Sequence, residues 1–444
     1  MLLERRKREV FMNKRILWAA AIILLAVTAC SLPSSLAHRS TAIPSAIPAT
    51  ETPSLTPTAA PTTVHLFTDG SGDYASLVQA VESVAPGSTI ILAEGSYDVS
   101  LNLIVTKPIT IQGAGMEKTF ITSSTGQLVA DFRDAGVVNL SGITFQYTGA
   151  EPANVVTIEG GTVTISDCRF TGGVFLASED KTPVGSGLLV YGKTDGLIAN
   201  STFEENGYIG LVVSGDSTIR VESNRISRNG AAGLGVGGTY RGEITLNSIT
   251  ENTLQGLAVT GDASPAVTAN SITANTASGV VFFDNSSGTV ITNEISTNGN
   301  HGISVEDLAH PLIESNNLNG NTWSGISYLG SAAGTARGNT CDNNVSTGIL
   351  VGDNASPVVE NNTCSGNQYD GFSAIGSSRP AFLNNSALNN FNVGIGFYEN
   401  ATGSASGNIC AFNGWGIYVE AGANPALDSN NCYSNTTADI LDKR

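Results

Sequence analysis

Only four histidines occur in the chain, and one of them sits among groups that could do chemistry. His301 stands in Asn300-His301-Gly302-Ile303-Ser304, with Glu306 and Asp307 just beyond it and Asp284 23 residues before Asp307. Such a cluster could contact a sugar or pass a proton to a glycosidic oxygen, as a positioned acid does. The same residues also fit a plain solvated turn. Asp284 and Asp307 could share a calcium ion, a hard cation that favours carboxylates. Turn preference alone explains them equally, because Asp216, Asp262, Asp353 and Glu399 recur at matching places. Four aromatics, Tyr208, Trp323, Tyr369 and Trp415, fall on what reads as one exposed turn. They would either stack against sugar rings or cover turn backbone.

These residues are held by a repeat. Asn224, Asn247, Asn270, Asn293, Asn316, Asn339, Asn362, Asn385 and Asn408 are each 23 residues apart. A second Asn column follows five residues later, from Asn206 and Asn229 to Asn413 and Asn435. A Gly column then runs from Gly210 to Gly394, followed by aliphatic pairs such as Leu257/Val259 and Ile303/Val305. Apolar residues alternate over short pieces, which is strand periodicity, and no stretch has helical spacing. Three short strands per unit, stacked on identical units, bury each apolar column in a continuous stack. The fold class is therefore all-β, a right-handed parallel β-helix of ~23-residue coils with a short N-terminal capping helix. Repeated amides at the bends would hydrogen-bond along the stack, and the Gly column would supply bends of positive φ. About fourteen coils make a rod of roughly 65 Å.

The units resemble the parallel β-helix repeats of the pectin-lyase-like superfamily. Asp69-Gly-Ser-Gly-Asp73-Tyr74, Gln79-Ala80-Val81, Glu94-Gly95-Ser96-Tyr97 and Ile109 to Gly115 resemble the opening of pectin methylesterases. Ser76 with Gln79 reads as a capping box for the end helix. The resemblance implies carbohydrate processing, but the catalytic groups it would need are missing. Asp131-Phe132-Arg133 matches only the start of the esterase motif. Asn300 to Ser304 resembles a polygalacturonase element, yet Ser278-Gly279-Val280-Val281 stands where its Asp pair belongs. Between residues 242 and 442 the only basic residues besides histidine are Arg337 and Arg379.

Charge narrows the partners. The chain of 444 residues has a net charge of −17. Its first 29 residues hold six basic and two acidic side chains, so the remainder carries −21. That excludes nucleic acid and an anionic membrane surface as partners of the folded part. Residues 1–29 read as a signal peptide, with a 14-residue apolar run ending Val27-Thr28-Ala29-Cys30. Cys30 is then the lipid attachment site and 30–63 a Ser/Thr/Pro-rich linker, leaving 64–444 as the β-helix domain. The membrane would be met only through that lipid, at the bacterial cell surface.

Five cysteines remain beyond Cys30. Cys341/Cys364 and Cys410/Cys432 fall in one inward column, as buried thiols or as disulfides between coils. Polysaccharide binding is the function these features support. A lyase, hydrolase or esterase with an unidentified site is one alternative; an adhesive spacer or periplasmic accessory factor is another. Calcium is the only cofactor the residues suggest.

Overall fold

The computed structural model describes residues 60–100, 102–178 and 181–444. The expected signal peptide, the expected lipidation at Cys30 and the expected linker up to residue 59 lie outside the described residues. Each repeat supplies three strands, here called first, second and third. After Asn270 they are Ser271–Thr273, Val280–Phe282 and Thr289–Ile291. All pair in parallel with their counterparts one repeat on: Ile272 with Ile295, Val281 with Ser304, Val290 with Ile313. The result is a β-solenoid of about 16 turns. The N-terminal coils are irregular in length but stack in the same way, Ile90 pairing with Ile111 and Ile111 with Leu140.

Alternation decides what is inside. Ile226, Ile249, Ile272 and Ile295 from successive first strands are all 0% exposed, as are Leu257/Val259 and Ile303/Val305 from second strands. Phe145, Phe170 and Phe203 stack in one such column with ring centroids 5.3 and 5.1 Å apart. The N-terminal end is covered by a short helix, Leu77–Ser83, which buries Leu77, Ala80 and Val81. Ser76 caps it through its side chain to the Gln79 amide at 3.2 Å. Gln79 reaches back one residue further than a capping box requires, to the Ala75 amide. No helix among the described residues is long and apolar enough to cross a membrane.

Both Asn columns form ladders. Asn275 Nδ2 donates to Asn298 Oδ1 at 3.1 Å, and Asn298 Nδ2 to Asn321 Oδ1 at 3.2 Å. Each Asn also takes up backbone groups that the bend would otherwise bury unpaired, such as the Ile272 carbonyl.

The Gly column has a different cause from the one its sequence suggests. Gly210 to Gly394 are absent from the positive-φ residues. They are glycines because coils approach too closely there for a side chain. A Cβ at Gly279 would lie 2.7 Å from the Gly302 carbonyl and 2.4 Å from Ile295 Cγ2. Positive φ instead falls on the residue before each ladder Asn, and that residue is often not glycine: Leu246 has φ 58° and Thr292 55°. Leu246 is 56% exposed, so its side chain returns little packing for the strain. Leu246→Gly is therefore expected to raise stability by about 1 kcal/mol in urea unfolding.

Thr171 still pairs in register with Gln146 and Glu204, and only after it does the chain leave the repeat, in an antiparallel hairpin of Leu176–Ser178 and Lys181–Val184.

Cys168, Cys341, Cys364 and Cys410 are buried and Cys432 is half-buried, all as free thiols. Cys410 and Cys432 are register partners in the first-strand column. Burial pushes the Cys168 thiol up to about 12 and raises Cys364 well above its usual value. In the native protein a thiol reagent should modify Cys432 but none of the four buried residues until denaturant is added. Failure of Cys341, Cys364, Cys410 and Cys432 to titrate in denaturant without reductant would show disulfides instead.

Candidate functional site

The second strands have an outer face that is nearly dry. Val212, Ala258, Val281, Ser304, Ser327 and Ser373 point out of the cylinder, yet none is more than 3% exposed. The turns flanking each second strand cover this face, which runs as a band along the rod, here called the groove.

One wall is the turn between the second Asn and the Gly. Backbone bonds step along it from Asn300 through Trp323, Ser346, Tyr369 and Asn392 to Trp415, one coil at a time. Trp323, Tyr369 and Trp415 are thus in one column, two coils or about 10 Å apart. All three are partly exposed. Tyr208 begins the same column but is not an available face. It is 2% exposed and stacked on Phe175 of the inserted segment, with centroids 5.0 Å apart. At this end the groove is filled by Tyr208, Ile209, Val212, Ala232 and Ala258.

The floor turns polar at His301. This histidine is not a solvated turn residue, since it is only 3% exposed. Its Nδ1 accepts from the Ser324 amide at 3.3 Å, and its ring meets Trp323 edge-on at 5.9 Å. Burial lowers its pKa to about 3. It is therefore neutral at ordinary pH and has no proton to give as an imidazolium. Beside it Ser327 donates to Ser304 at 3.0 Å and Ser304 to Glu306 at 2.9 Å.

Burial is the main cause that raises Glu306 to about 7; Asp307 and Asp353 add to it, and the Ser304 hydrogen bond opposes it. The folded state thus holds a proton that the unfolded chain releases at about pH 4.5. Stability from this group is greatest below that pH and falls as pH rises towards about 7. Glu306→Gln should remove a slope of roughly 2–3 kcal/mol between ~pH 5 and ~pH 8 in urea unfolding. An unchanged slope would show that Glu306 is ionised throughout.

A second polar centre went unseen in the sequence. Asp370 is 0% exposed and accepts from Ser373 Oγ at 2.5 Å, Tyr398 Oη at 2.8 Å, Asn392 Nδ2 at 2.9 Å and the Val393 amide at 3.1 Å. Burial raises its pKa against these four donors. It fixes Tyr398 on the groove, where Tyr398, Tyr418 and Trp415 are in ring contact at 5.6 and 6.2 Å. Tyr398 and Tyr418 lie at the outward spacing after Gly394 and Gly416, the signal that could have found them.

Asp284 and Asp307 lie on the opposite wall, in the turn after the second strand. Both have positive φ, 57° and 56°. Their carboxylates are engaged with backbone: Asp284 Oδ2 accepts from the Gly261 amide at 2.8 Å, and Asp307 Oδ2 from the Asp284 amide at 3.1 Å. In this arrangement the two carboxylates cap amides from coil to coil. Among the described residues no group of three or more His, Cys, Asp or Glu is arranged to hold a metal ion.

The solenoid and its lateral groove define the class. The chain belongs to the right-handed β-helix family, whose model, described as "Right handed beta helix region", matches residues 131–260, 213–362 and 324–441. No curated protein gives a significant match. Similar solved structures include the A-module of a mannuronan C-5 epimerase from Azotobacter vinelandii, at 14% identity and TM-score 0.44, covering 82% of this chain and 92% of that one. A periplasmic alginate epimerase is 11% identical at TM-score 0.49, covering 80% and 84%. The Dettilon tailspike protein is 15% identical at TM-score 0.49, covering 82% and 68%.

Proposed function

We propose that the groove along the second strands binds a polysaccharide, with Trp323, Tyr369 and Trp415 as the stacking wall. The observation that carries this reading is the single aromatic column, repeated every second coil beside a walled polar floor. Its spacing suits every second residue of an extended glycan. Rigid aromatics give contact area at low entropic cost. The protein would be displayed outside the cytoplasm, tethered through lipid on Cys30 and the Pro-rich linker.

The test is co-sedimentation of the full-length chain with insoluble polysaccharides: β-glucan, α-glucan, mannan, chitin and a pectin gel. Saturable retention on at least one is expected. Retention on none would end the proposal.

One observation favours a second reading. Glu306, held protonated near neutrality beside the groove floor, is the kind of carboxyl that protonates a glycosidic oxygen. Hydrolysis also needs a second placed carboxylate. Release of reducing ends from a retained polymer, abolished by Glu306→Gln, would make the protein an enzyme.

A further inference from the structure

The groove changes character at its C-terminal end. Its outward column runs Ser373, Gly396, Tyr418 and Leu441 in successive coils. Gly396 is a glycine because the ring of Tyr398 folds back over it. A Cβ there would lie 2.4 Å from Tyr398 Cε2. Asp370 holds that ring through its hydroxyl at 2.8 Å, and donation to a carboxyl polarises the phenol. Tyr418 follows one coil on, with the Tyr398 ring 5.6 Å away and Trp415 edge-on at 6.2 Å. Tyr418 and Trp415 are half-buried.

Lys443 lies over this cluster. Its Nζ is 5.0 Å from the centre of the Tyr418 ring, and its backbone amide donates to the Val419 carbonyl at 3.1 Å. Asp442, the carboxylate beside it in the chain, is engaged by Arg444 at 2.5 Å. Lys443 itself has no ion pair among the described residues. Its charge rests on an aromatic face and not on a carboxylate. Such a contact at an exposed site is worth roughly 2–5-fold in an equilibrium, little enough for a ligand to displace.

Resting on the polysaccharide reading above, we propose that the Tyr398–Tyr418–Trp415 cluster is a subsite for an ammonium group of the glycan. The ligand is then a polymer of amino sugars with free amines, and Lys443 is the chain's own occupant of the subsite. A tyrosine face attracts an ammonium through its quadrupole, while Trp415 beside it offers a ring for the sugar itself. Glu399 and Glu420 lie in the adjoining turns, fixed by capping amides at 3.0 and 2.7 Å, and Arg379 stands one coil before Glu399. The −21 charge beyond residue 29 draws a polycation towards the rod from a distance.

The experiment is calorimetric titration of the full-length chain with six-sugar oligomers of glucosamine and of N-acetylglucosamine, at moderate and at high salt. At ~pH 5.5 the free amines are protonated and ordinary carboxylates ionised. The glucosamine oligomer should bind at least ~5-fold tighter than the acetylated one. That preference should survive high salt, which screens the general attraction of a cation to an acidic chain. Lys443→Gln should tighten the glucosamine oligomer by about 2–5-fold and leave the acetylated one within ~1.5-fold. Arg379→Gln removes the same charge from an exposed turn nearby and should change neither. Tyr418→Leu should cancel the preference, and leucine already fills this column at Leu350 and Leu441. Lys443 is exposed, so its variant carries the test if Tyr418→Leu folds poorly.

Equal affinity for the two oligomers would overturn the inference and leave polysaccharide binding standing. So would a Lys443→Gln variant that binds no tighter than Arg379→Gln, since net charge alone would then explain the preference. Binding of neither oligomer would also overturn it, and the sedimentation panel above then decides the polysaccharide reading.

Discussion

Replacing Asn298 with alanine is expected to cost about 3 kcal/mol of unfolding free energy, far more than its small change in volume. Asn298 is 0% exposed in the second ladder. Its Oδ1 accepts from both the backbone amide and the Nδ2 of Asn275 at 3.1 Å, and its Nδ2 donates to the Ile272 carbonyl and to Asn321. Alanine leaves the Asn275 amide without that acceptor, inside the bend and away from water. Each such buried orphan costs about 1–3 kcal/mol. In a solenoid every coil leans on its neighbours, so the loss also opens the stack locally. Asn298→Asp should be worse still, because it puts a charge into the ladder and keeps no Nδ2 donor. The exposed turn residue Asn354 is the control, with Asn354→Ala expected within ~0.5 kcal/mol of wild type. Urea unfolding of the three variants decides it. A loss at Asn298 no larger than at Asn354 would mean that the ladder is ornament and apolar stacking alone fixes the coils.

The second large effect is on binding. Trp323→Ala with Trp415→Ala should weaken polysaccharide affinity by about 100-fold, on the order of 1–1.5 kcal/mol for each lost ring face. Trp323 sits on a turn and Trp415 opens a second strand, and both are partly exposed, so the double variant should keep the fold. A melting temperature close to wild type would separate loss of ligand contact from loss of structure. Tyr208→Ala distinguishes the column's two ends. Tyr208 is buried under Phe175, so its removal should lower stability by ~3 kcal/mol and leave affinity nearly unchanged. Affinity that survives in the Trp double variant would place the ligand elsewhere on the rod.

The solenoid was legible because its causes repeat. One Asn or one Gly proves little, but ten at equal spacing reveal a stack, and the alternation at Leu257/Val259 shows which side is inside. The inserted segment was legible as a break in that register. The groove was not, because the repeat says which residues leave the cylinder but not how far the flanking turns rise. Ser304 and Ser327 point outward in any β-helix, and only their near-zero exposure shows that they are covered. For the same reason His301 read as a solvated turn residue and Tyr208 as an exposed aromatic. Tyr208 is covered by Phe175 of the inserted segment, which belongs to no repeat. The Gly column was assigned to backbone conformation when its cause is contact between coils, a distinction invisible without the neighbouring carbonyl. Asp370 escaped because its partners Ser373, Asn392 and Tyr398 come from two coils.

The chain has three tryptophans: Trp18, outside the described residues, and the two on the groove wall. In the full-length Trp18→Phe variant, tryptophan emission and its quenching by acrylamide therefore report on the proposed binding face itself. On saturating this variant with the polymer that retains it best, emission should shift and quenching of the Trp323 and Trp415 fraction should fall at least ~2-fold, with the same midpoint as retention. Retention with emission and quenching both unchanged would show that the glycan does not lie against this wall.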